Sequence, residues 1–587
     1  MLKKVTLPTL FLLFAYFIIS NDNAKVIIAG IAIFLVGMYF MENGFKLFSG
    51  GTLEKILEKS TNTILKSLTT GFIATSIVQS SSLTSIIMIS FLSAGLIELT
   101  QAIGVIFGSN LGSTTTAWII AYFGLKVKIS IYAMPMIIFG VVLRFSKEIK
   151  YKGLGDVLLG LGFIFLGISY MKEGFETLKD SIDLAAYSIE GYTGVLIYII
   201  IGAIITVIIQ SSAATMAIVI TALAGGQILY ISALALAVGA NLGTTITAIM
   251  AAMTSNENGK RLAAAHLIFN AITGVLTFIF IYQLSSFVDV VASFIGIEQN
   301  NYILKLALFH TIFNLIGIII ISPFIFIIVK FLMTVFIPKV RSSSKPKFLN
   351  ESVIQIPESA IFALRNETIN LYNKSLKAII HAMNLHREDI FSKKNIKDVI
   401  SVSNKRIDTN IDKIYNDKLK SLYSEIIRYT SLSQEPMNTQ ERIVLGSLKS
   451  AARKIIKSVK EIKELQKNIN IFSRGKNTYI KEEYNYLREQ LAYTLREIQI
   501  IRKDNLDEID RLTKIEALRI KINKFDLIEN EKIDDLIRTN KISARMATSL
   551  INDSSFATHI CIRFVEIATI IWIKDEEIKE IGEEREY

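Results

Sequence analysis

Across the first 340 residues, apolar runs of membrane-crossing length alternate with short polar stretches. From residue 341 onward, apolar residues recur singly at spacings of three and four. The first pattern is that of helices apolar on every side, the second that of amphipathic helices hiding one stripe in a soluble bundle. The apolar runs predict spans at Ala24–Met41, Ala102–Phe123, Ile129–Val142, Asp156–Met171, Leu229–Met253, Leu262–Tyr282 and Ile303–Phe336. Two further runs carry polar clusters at their centres, Gln79-Ser80-Ser81-Ser82 followed by Thr84, and Gln210-Ser211-Ser212 followed by Thr215. Unpaired amides and hydroxyls at membrane depth cost several kcal/mol. These runs therefore predict hairpins of half-helices whose polar ends pair with each other or hold a ligand.

The second cluster follows the first by 131 residues. Gly108-Ser-Asn110-Leu-Gly112-Ser-Thr114-Thr recurs as Gly239-Ala-Asn241-Leu-Gly243-Thr-Thr245-Ile at the same offset. Gly37 to Phe45 recurs in weaker form at Gly167 to Phe175, offset by 130. This register marks an internal duplication, and the glycine-rich blocks are expected to interrupt their helices as a second pair of breaks. Three crossings between the hairpins would turn the second copy upside down, and inverted repeats of this kind build one midplane site that opens to either side in turn. The expected fold class is all-α, a polytopic membrane domain of two inverted repeats with re-entrant hairpins, followed by a helical bundle. Residues 24–340 form the membrane domain, with repeat one at about 24–150 and repeat two at about 154–336.

Charge sharpens the boundary. The first 340 residues carry 20 basic and 15 acidic residues; the remaining 247 carry 44 and 37. The net charge of +12 divides as +5 and +7, too evenly for a nucleic-acid surface. Lys3, Lys4 and the run Leu7 to Ile19 resemble a signal peptide without a small-residue cleavage site, so residues 1–23 are expected to be an extra amino-terminal helix. Pro338 to Lys347 is basic, and residues 341–350 form a linker that the positive-inside rule places, with residues 351–587, in the cytoplasm of a plasma (inner) membrane protein. Bundle helices are expected at Ile361–His386, Lys394–Ser431, Thr439–Ile471 and Tyr479–Arg502, with two more beyond Asp507. Leu448, Ala451, Ala452, Ile455, Ile456, Val459 and Ile462 supply one stripe. The single cysteine, Cys561, excludes an intramolecular disulfide and a cysteine metal cluster.

The segments Phe72–Ile97 and Gly191–Asn256 contain no Asp, Glu, Lys or Arg, which argues against a carboxylate proton relay. Hydroxyl, amide and carbonyl oxygens suit a hard monovalent cation such as sodium, while half-helix amino termini direct N–H groups at an anion. Serine and threonine serve both, because each donates and accepts. No nucleophile, base and orienting acid assemble in the spans, so an enzyme is not expected. His266-Leu-Ile-Phe-Asn270 and His310-Thr-Ile-Phe-Asn314 share one spacing and point to a packing role.

Taken together, the two Gln-Ser-Ser clusters, the duplicated Gly-x-Asn-Leu-Gly-[Ser/Thr]-Thr blocks and the His-x-x-Phe-Asn helices resemble the type II sodium/phosphate cotransporter family, in particular bacterial members with a carboxyl-terminal PhoU-like domain. The resemblance implies a symporter of inorganic phosphate with sodium as coupling ion and no other cofactor. It assigns Gln79, Ser80, Ser81, Ser82 and Thr84 to one half of the site and Gln210, Ser211, Ser212 and Thr215 to the other. Asn110, Thr114, Asn241 and Thr245 come next. Ala213 replaces a third serine in the second cluster. A PhoU-like domain also implies a divalent site at Asp408 and Asp412 and a regulatory role, through a partner or self-association. A phosphate exporter, a carrier of another oxyanion such as arsenate, and a membrane-anchored phosphate sensor are the alternatives.

Overall fold

The computed structural model describes residues 15–49, 63–124, 130–179, 184–253, 255–337, 345–351, 356–403, 405–503, 508–523 and 532–573, with a few single positions besides. Most of the expected amino-terminal helix and of the polar piece before Ile64, and residues 341–344 of the basic linker, lie outside that set. Among the described residues every regular element is a helix, and the chain divides into two compact units, Met1–Ile337 and Pro338–Tyr587.

The first unit contains α1 (Asp22–Ser49), α2 (Ile64–Val78), α3 (Ser81–Ala94), α4 (Leu99–Ile119), α5 (Ser130–Arg144), α6 (Ile149–Lys179), α7 (Gly191–Ile209), α8 (Ser212–Ala224), α9 (Tyr230–Gly243), α10 (Thr245–Met253), α11 (Glu257–Ile279), α12 (Ile281–Phe294), α13 (Tyr302–Ile321) and α14 (Ile325–Val335). Both hairpins form where expected, α2 with α3 and α7 with α8. At about 1.5 Å per residue, α2 and α3 are shorter than the roughly 30 Å bilayer core, as half-helices must be. With 19 residues, α7 is long enough to cross. α12 is a short apolar helix that falls almost wholly between the expected spans Leu262–Tyr282 and Ile303–Phe336.

The glycine-rich block of repeat one does not interrupt its helix. α4 runs unbroken through Gly108 to Thr116, and its irregularity comes later, as a π turn at Ile120–Gly124. In repeat two the expected break is present at Thr244, between α9 and α10. These glycines serve close approach. A Cβ on Gly108 would lie 2.0 Å from the Leu68 carbonyl oxygen of α2, and one on Gly239 would lie 2.0 Å from that of Ile199 in α7. The reciprocal contacts, Gly71 to Val105 and Gly202 to Leu236, repeat at the same offset. The duplication is thus present in the backbone contacts as well as in the letters.

Glycines also join α1 to α6. Gly30, Gly37 and Gly44 meet Gly167, Gly160 and Gly153 in descending order, so the two helices run antiparallel with backbones in contact. Three charged groups inside this unit have partners nearby. Lys305 pairs with Asp289 at 2.6 Å, and Asp156 lies 3.4 Å from Arg144, which stacks on Phe40. Arg261 donates to Asn258 and to the Phe336 carbonyl that ends α14.

The second unit contains α15 (Pro357–Ala382), α16 (Lys420–Leu432), α17 (Thr439–Phe472), α18 (Thr478–Lys503), α19 (Glu508–Asn523) and α20 (Ala544–Trp572), with short helical turns between them. All seven residues of the Leu448–Ile462 stripe are buried. The run expected at Lys394–Ser431 is broken, because the polar stretch after Val402 leaves the helix and Asn410 caps a new turn through the Lys413 N–H. Arg488 is buried with neutral partners, donating to the Met383 carbonyl, Asn485 and Ser403. Burial pushes its guanidinium down to about 10. Glu367, also buried, accepts the N–H groups of Lys347 and Phe348 at 2.6 and 2.7 Å, tying the start of this unit to α15.

Among the described residues seven helices are long and apolar enough to cross a membrane, six in the first unit and α20 in the second. Within its own unit α20 packs along α17, α18 and α19, and its Arg563 pairs with Glu461 of α17.

Close backbone contact makes one substitution costly and leaves another free. Gly37→Val would place a Cβ 2.6 Å from the Ile164 nitrogen, where no side-chain rotation relieves it, and is expected to cost about 1–3 kcal/mol. Gly446→Ala, inside α17 with nothing within 4 Å, is expected to gain about 1 kcal/mol. Thermal unfolding in detergent should move in opposite directions for the two, and an unchanged Gly37→Val protein would contradict the α1–α6 contact.

Candidate functional site

Each hairpin turns on one glutamine in the left-handed conformation. Gln79 (φ 58°, ψ 24°) ends α2 by donating its N–H to the Thr75 carbonyl at 2.7 Å, and Gln210 (φ 59°, ψ 25°) ends α7 on Thr206 at the same distance. The next residue is an extended serine whose hydroxyl caps the following helix. Ser80 accepts the Leu83 N–H at 3.2 Å and Ser211 that of Ala214 at 3.1 Å. The first backbone bonds of α3 and α8 come from Thr84 and Thr215, so the N–H groups of Ser81 and Ser82, and of Ser212 and Ala213, stand at open helix termini. Threonine pairs clasp each hairpin, Thr75 to Thr84 at 3.0 Å and Thr206 to Thr215 at 2.8 Å.

Helical periodicity explains what the glycine-rich helices contribute. On α4, Gly108, Gly112 and Thr115–Thr116 follow at helical spacing along the face that meets the first hairpin. Asn110, two residues from each glycine, lies on the opposite face and meets α11. There His266 Nε2 is 3.1 Å from Asn110 Oδ1, and Asn110 Nδ2 donates to Asn270 at 3.2 Å. Since Oδ1 only accepts, His266 carries its proton on Nε2. The same arrangement recurs on α9 and α13, with His310 at 3.1 Å from Asn241 and Asn241 donating to Asn314 at 2.8 Å. Both histidine helices follow Asn256 in sequence, so α11 reaches back to repeat one. Sequence spacing alone did not reveal that, because the histidines lie outside the 131-residue register.

The expected site residues thus fall into two groups. Gln79, Ser80, Ser81, Ser82 and Thr84, and likewise Gln210, Ser211, Ser212 and Thr215, are gathered at the hairpin turns. Asn110 and Asn241 are engaged with histidine and asparagine, while Thr114 bonds to the Leu111 carbonyl within α4 and to Thr311 of α13, and Thr245 bonds to the Leu242 carbonyl across the break between α9 and α10. Ser82 lies 3.3 Å from Thr247 of α10, a hydroxyl contact that joins hairpin one to repeat two. The packing of α3 on α10 and of α8 on α4 continues that junction. Thr75, Thr115, Thr116, Thr206 and Thr247 were not singled out in the sequence, although Thr75 and Thr206 share the 131-residue offset that marks the rest.

Asp408 and Asp412 do not lie on one helix. Asp408 precedes the helical turn that Asn410 caps, so the two carboxylates do not share a helix face; they pair with Arg406 at 3.8 Å and Lys463 at 2.7 Å instead. Among the described residues no group of three or more His, Cys, Asp or Glu could hold a metal ion.

A family model described as Na+/Pi-cotransporter matches residues 33–173 and 189–298, which hold both hairpins and both glycine-rich helices. YqeW, an uncharacterised Bacillus subtilis protein, is 30% identical over 296 residues, covering 50% of this chain and 92% of its own length. The chain belongs to the Na+/Pi-cotransporter family. That family comprises transporters rather than enzymes, and with these apolar helices the chain is a multi-pass membrane protein. A Salmonella typhimurium relative described as a candidate inorganic phosphate export protein, YjbB, is 25% identical over 367 residues, 60% of this chain and 65% of the relative. The chain therefore spans a little under two thirds of that protein's length. Sodium-dependent phosphate transport protein 2A of Mus musculus is 33% identical over 103 residues, 17% of this chain and 16% of the relative. No solved structure matches.

Removing either histidine leaves its asparagine oxygen buried without a donor. His266→Ala and His310→Ala are each expected to cost about 1–3 kcal/mol in unfolding experiments in detergent, and their effects should add because they serve separate networks. Strong non-additivity would show that the two networks are one.

Proposed function

We propose that the membrane unit is a secondary transporter that carries inorganic phosphate across the plasma membrane with sodium. The observation that carries this reading is the pair of hairpins, each offering open helix termini, serine hydroxyls and one glutamine within charge-free segments. Open N–H groups suit the oxyanion, while hydroxyl and carbonyl oxygens suit the cation. A site without charged side chains holds neither ion cheaply alone, since a lone ion at low dielectric lacks a counter-charge. Each ion supplies that charge for the other, which makes movement coupled. Gln79, Ser80, Ser81, Ser82 and Thr84 with Gln210, Ser211, Ser212 and Thr215 line the site; Asn110, Thr114, Asn241 and Thr245 support it. The two repeats, taken as inverted, expose that site to each side in turn. Family membership and the names of the mammalian relatives agree with sodium and phosphate as the transported pair.

The name of the Salmonella relative favours a second reading, net export of phosphate by the same site. The second unit is read as a cytoplasmic PhoU-like domain of regulatory role, resting on its helical composition and its sequence resemblance.

Uptake of labelled phosphate into proteoliposomes distinguishes these readings. An inward sodium gradient, but not a choline gradient, is expected to drive accumulation, and Gln79→Ala or Gln210→Ala to reduce it by about tenfold or more. Sodium-independent flux would overturn the coupling, flux only on an outward gradient would favour export, and binding without flux would favour a sensor.

A further inference from the structure

We infer that Thr115 and Thr116 clamp the Gln79 amide so that this side chain meets the transported pair as an acceptor, on the cation side, while the Gln210 amide keeps its donors for the anion. The inference rests on the transport reading and assigns the two glutamine amides to different ions.

Gln79 Nε2 donates one hydrogen to the Ser76 carbonyl and the other to Thr115 Oγ1 at 2.9 Å. The Thr115 hydroxyl is free to accept because it donates to the Gly112 carbonyl at 2.7 Å. On the other side, Thr116 donates to Gln79 Oε1 at 2.7 Å. These bonds fix the amide orientation, since the flipped amide would set oxygen against the Ser76 carbonyl. They consume both amide hydrogens and one of the two oxygen lone pairs. What Gln79 retains is a single acceptor lone pair, which suits a cation and offers nothing to an oxyanion.

Repeat two lacks this clamp. At 131 residues beyond Thr115 stands Ile246, which has no hydroxyl. Thr247, the counterpart of Thr116, donates to the Thr244 carbonyl at 2.8 Å and faces Ser82 of the other hairpin. Gln210 is exposed, and its side chain forms no hydrogen bond among the described residues. Both of its amide hydrogens are therefore available. The two glutamines share a backbone conformation and differ in what their amides can still do. Thr115 and Thr116 act through Gln79 and are positioning residues.

The test compares Thr115→Val/Thr116→Val with Thr115→Ser/Thr116→Ser in purified full-length protein. The first readout is the sodium chloride concentration that half-maximally raises the melting temperature, with choline chloride as the ionic-strength control. The second is the phosphate concentration for half-maximal binding at saturating sodium. The valine pair is expected to raise the sodium value about tenfold, corresponding to the loss of roughly one to two hydrogen bonds, and to change the phosphate value less than about twofold. The serine pair, which keeps the hydroxyls, should stay near wild type. Ile246→Thr supplies the missing hydroxyl to repeat two and should weaken phosphate binding about threefold with the sodium value unchanged. A phosphate shift as large as the sodium shift in the valine pair, a serine pair that behaves like the valine pair, or a wild type that sodium does not stabilise would each overturn the assignment. Wild-type protein that sodium stabilises but that carries no phosphate flux would sink the transport reading and leave the clamp standing.

Discussion

The first unit depends on backbone meeting backbone between α2 and α4, and again between α7 and α9. Only hydrogen in place of a side chain allows a carbonyl oxygen to sit where Gly108 and Gly239 have it. That contact fixes the rotation of the glycine-rich helix about its own axis. Once rotation is fixed, helical geometry distributes the other residues: asparagine turns toward a histidine helix, and the threonines about two turns beyond the first glycine come level with the hairpin turn. Packing and polar chemistry therefore share one determinant.

The duplication preserves this frame more faithfully than it preserves the polar groups on it. Both hairpins have the same left-handed glutamine, serine cap and threonine clasp, with distances that agree within a few tenths of an ångström. Ser82 answers to Ala213, and Thr115 to Ile246. Both differences concentrate hydroxyls around the first hairpin, one reaching across to Thr247 and the other binding Gln79. Such a framework tolerates divergence of function between its halves, because the groups that hold it together are not the groups that differ.

Much of this architecture could be read from the letters. Apolar runs located the spans, the 131-residue offset located the repeat, and serine after glutamine located the half-helix junctions, because an N-cap has a chemical signature that does not depend on distant residues. What sequence left hidden was long-range. Gly112 in an apolar run reads equally as a helix breaker or as a contact surface, and the choice is made by Phe72, forty residues earlier, whose carbonyl oxygen would lie 2.6 Å from a Cβ there. The partner of Asn110 stands 156 residues later. In the second unit, Asp408 and Asp412 stand four residues apart and would share one face of a continuous helix, but Asn410, lying between them, is where the turn begins.

The left-handed turn at Gln79 has a consequence of its own. Glycine would adopt that backbone without penalty, whereas a residue with a Cβ costs about 1 kcal/mol. Glycine brings no amide, and asparagine, which tolerates the conformation better, is one methylene too short to make the same reach to two threonines on the neighbouring helix. The position thus answers to two independent demands that no other common side chain meets together. A conservative-looking exchange there would be felt once in the chain's path and a second time in what the amide can grasp.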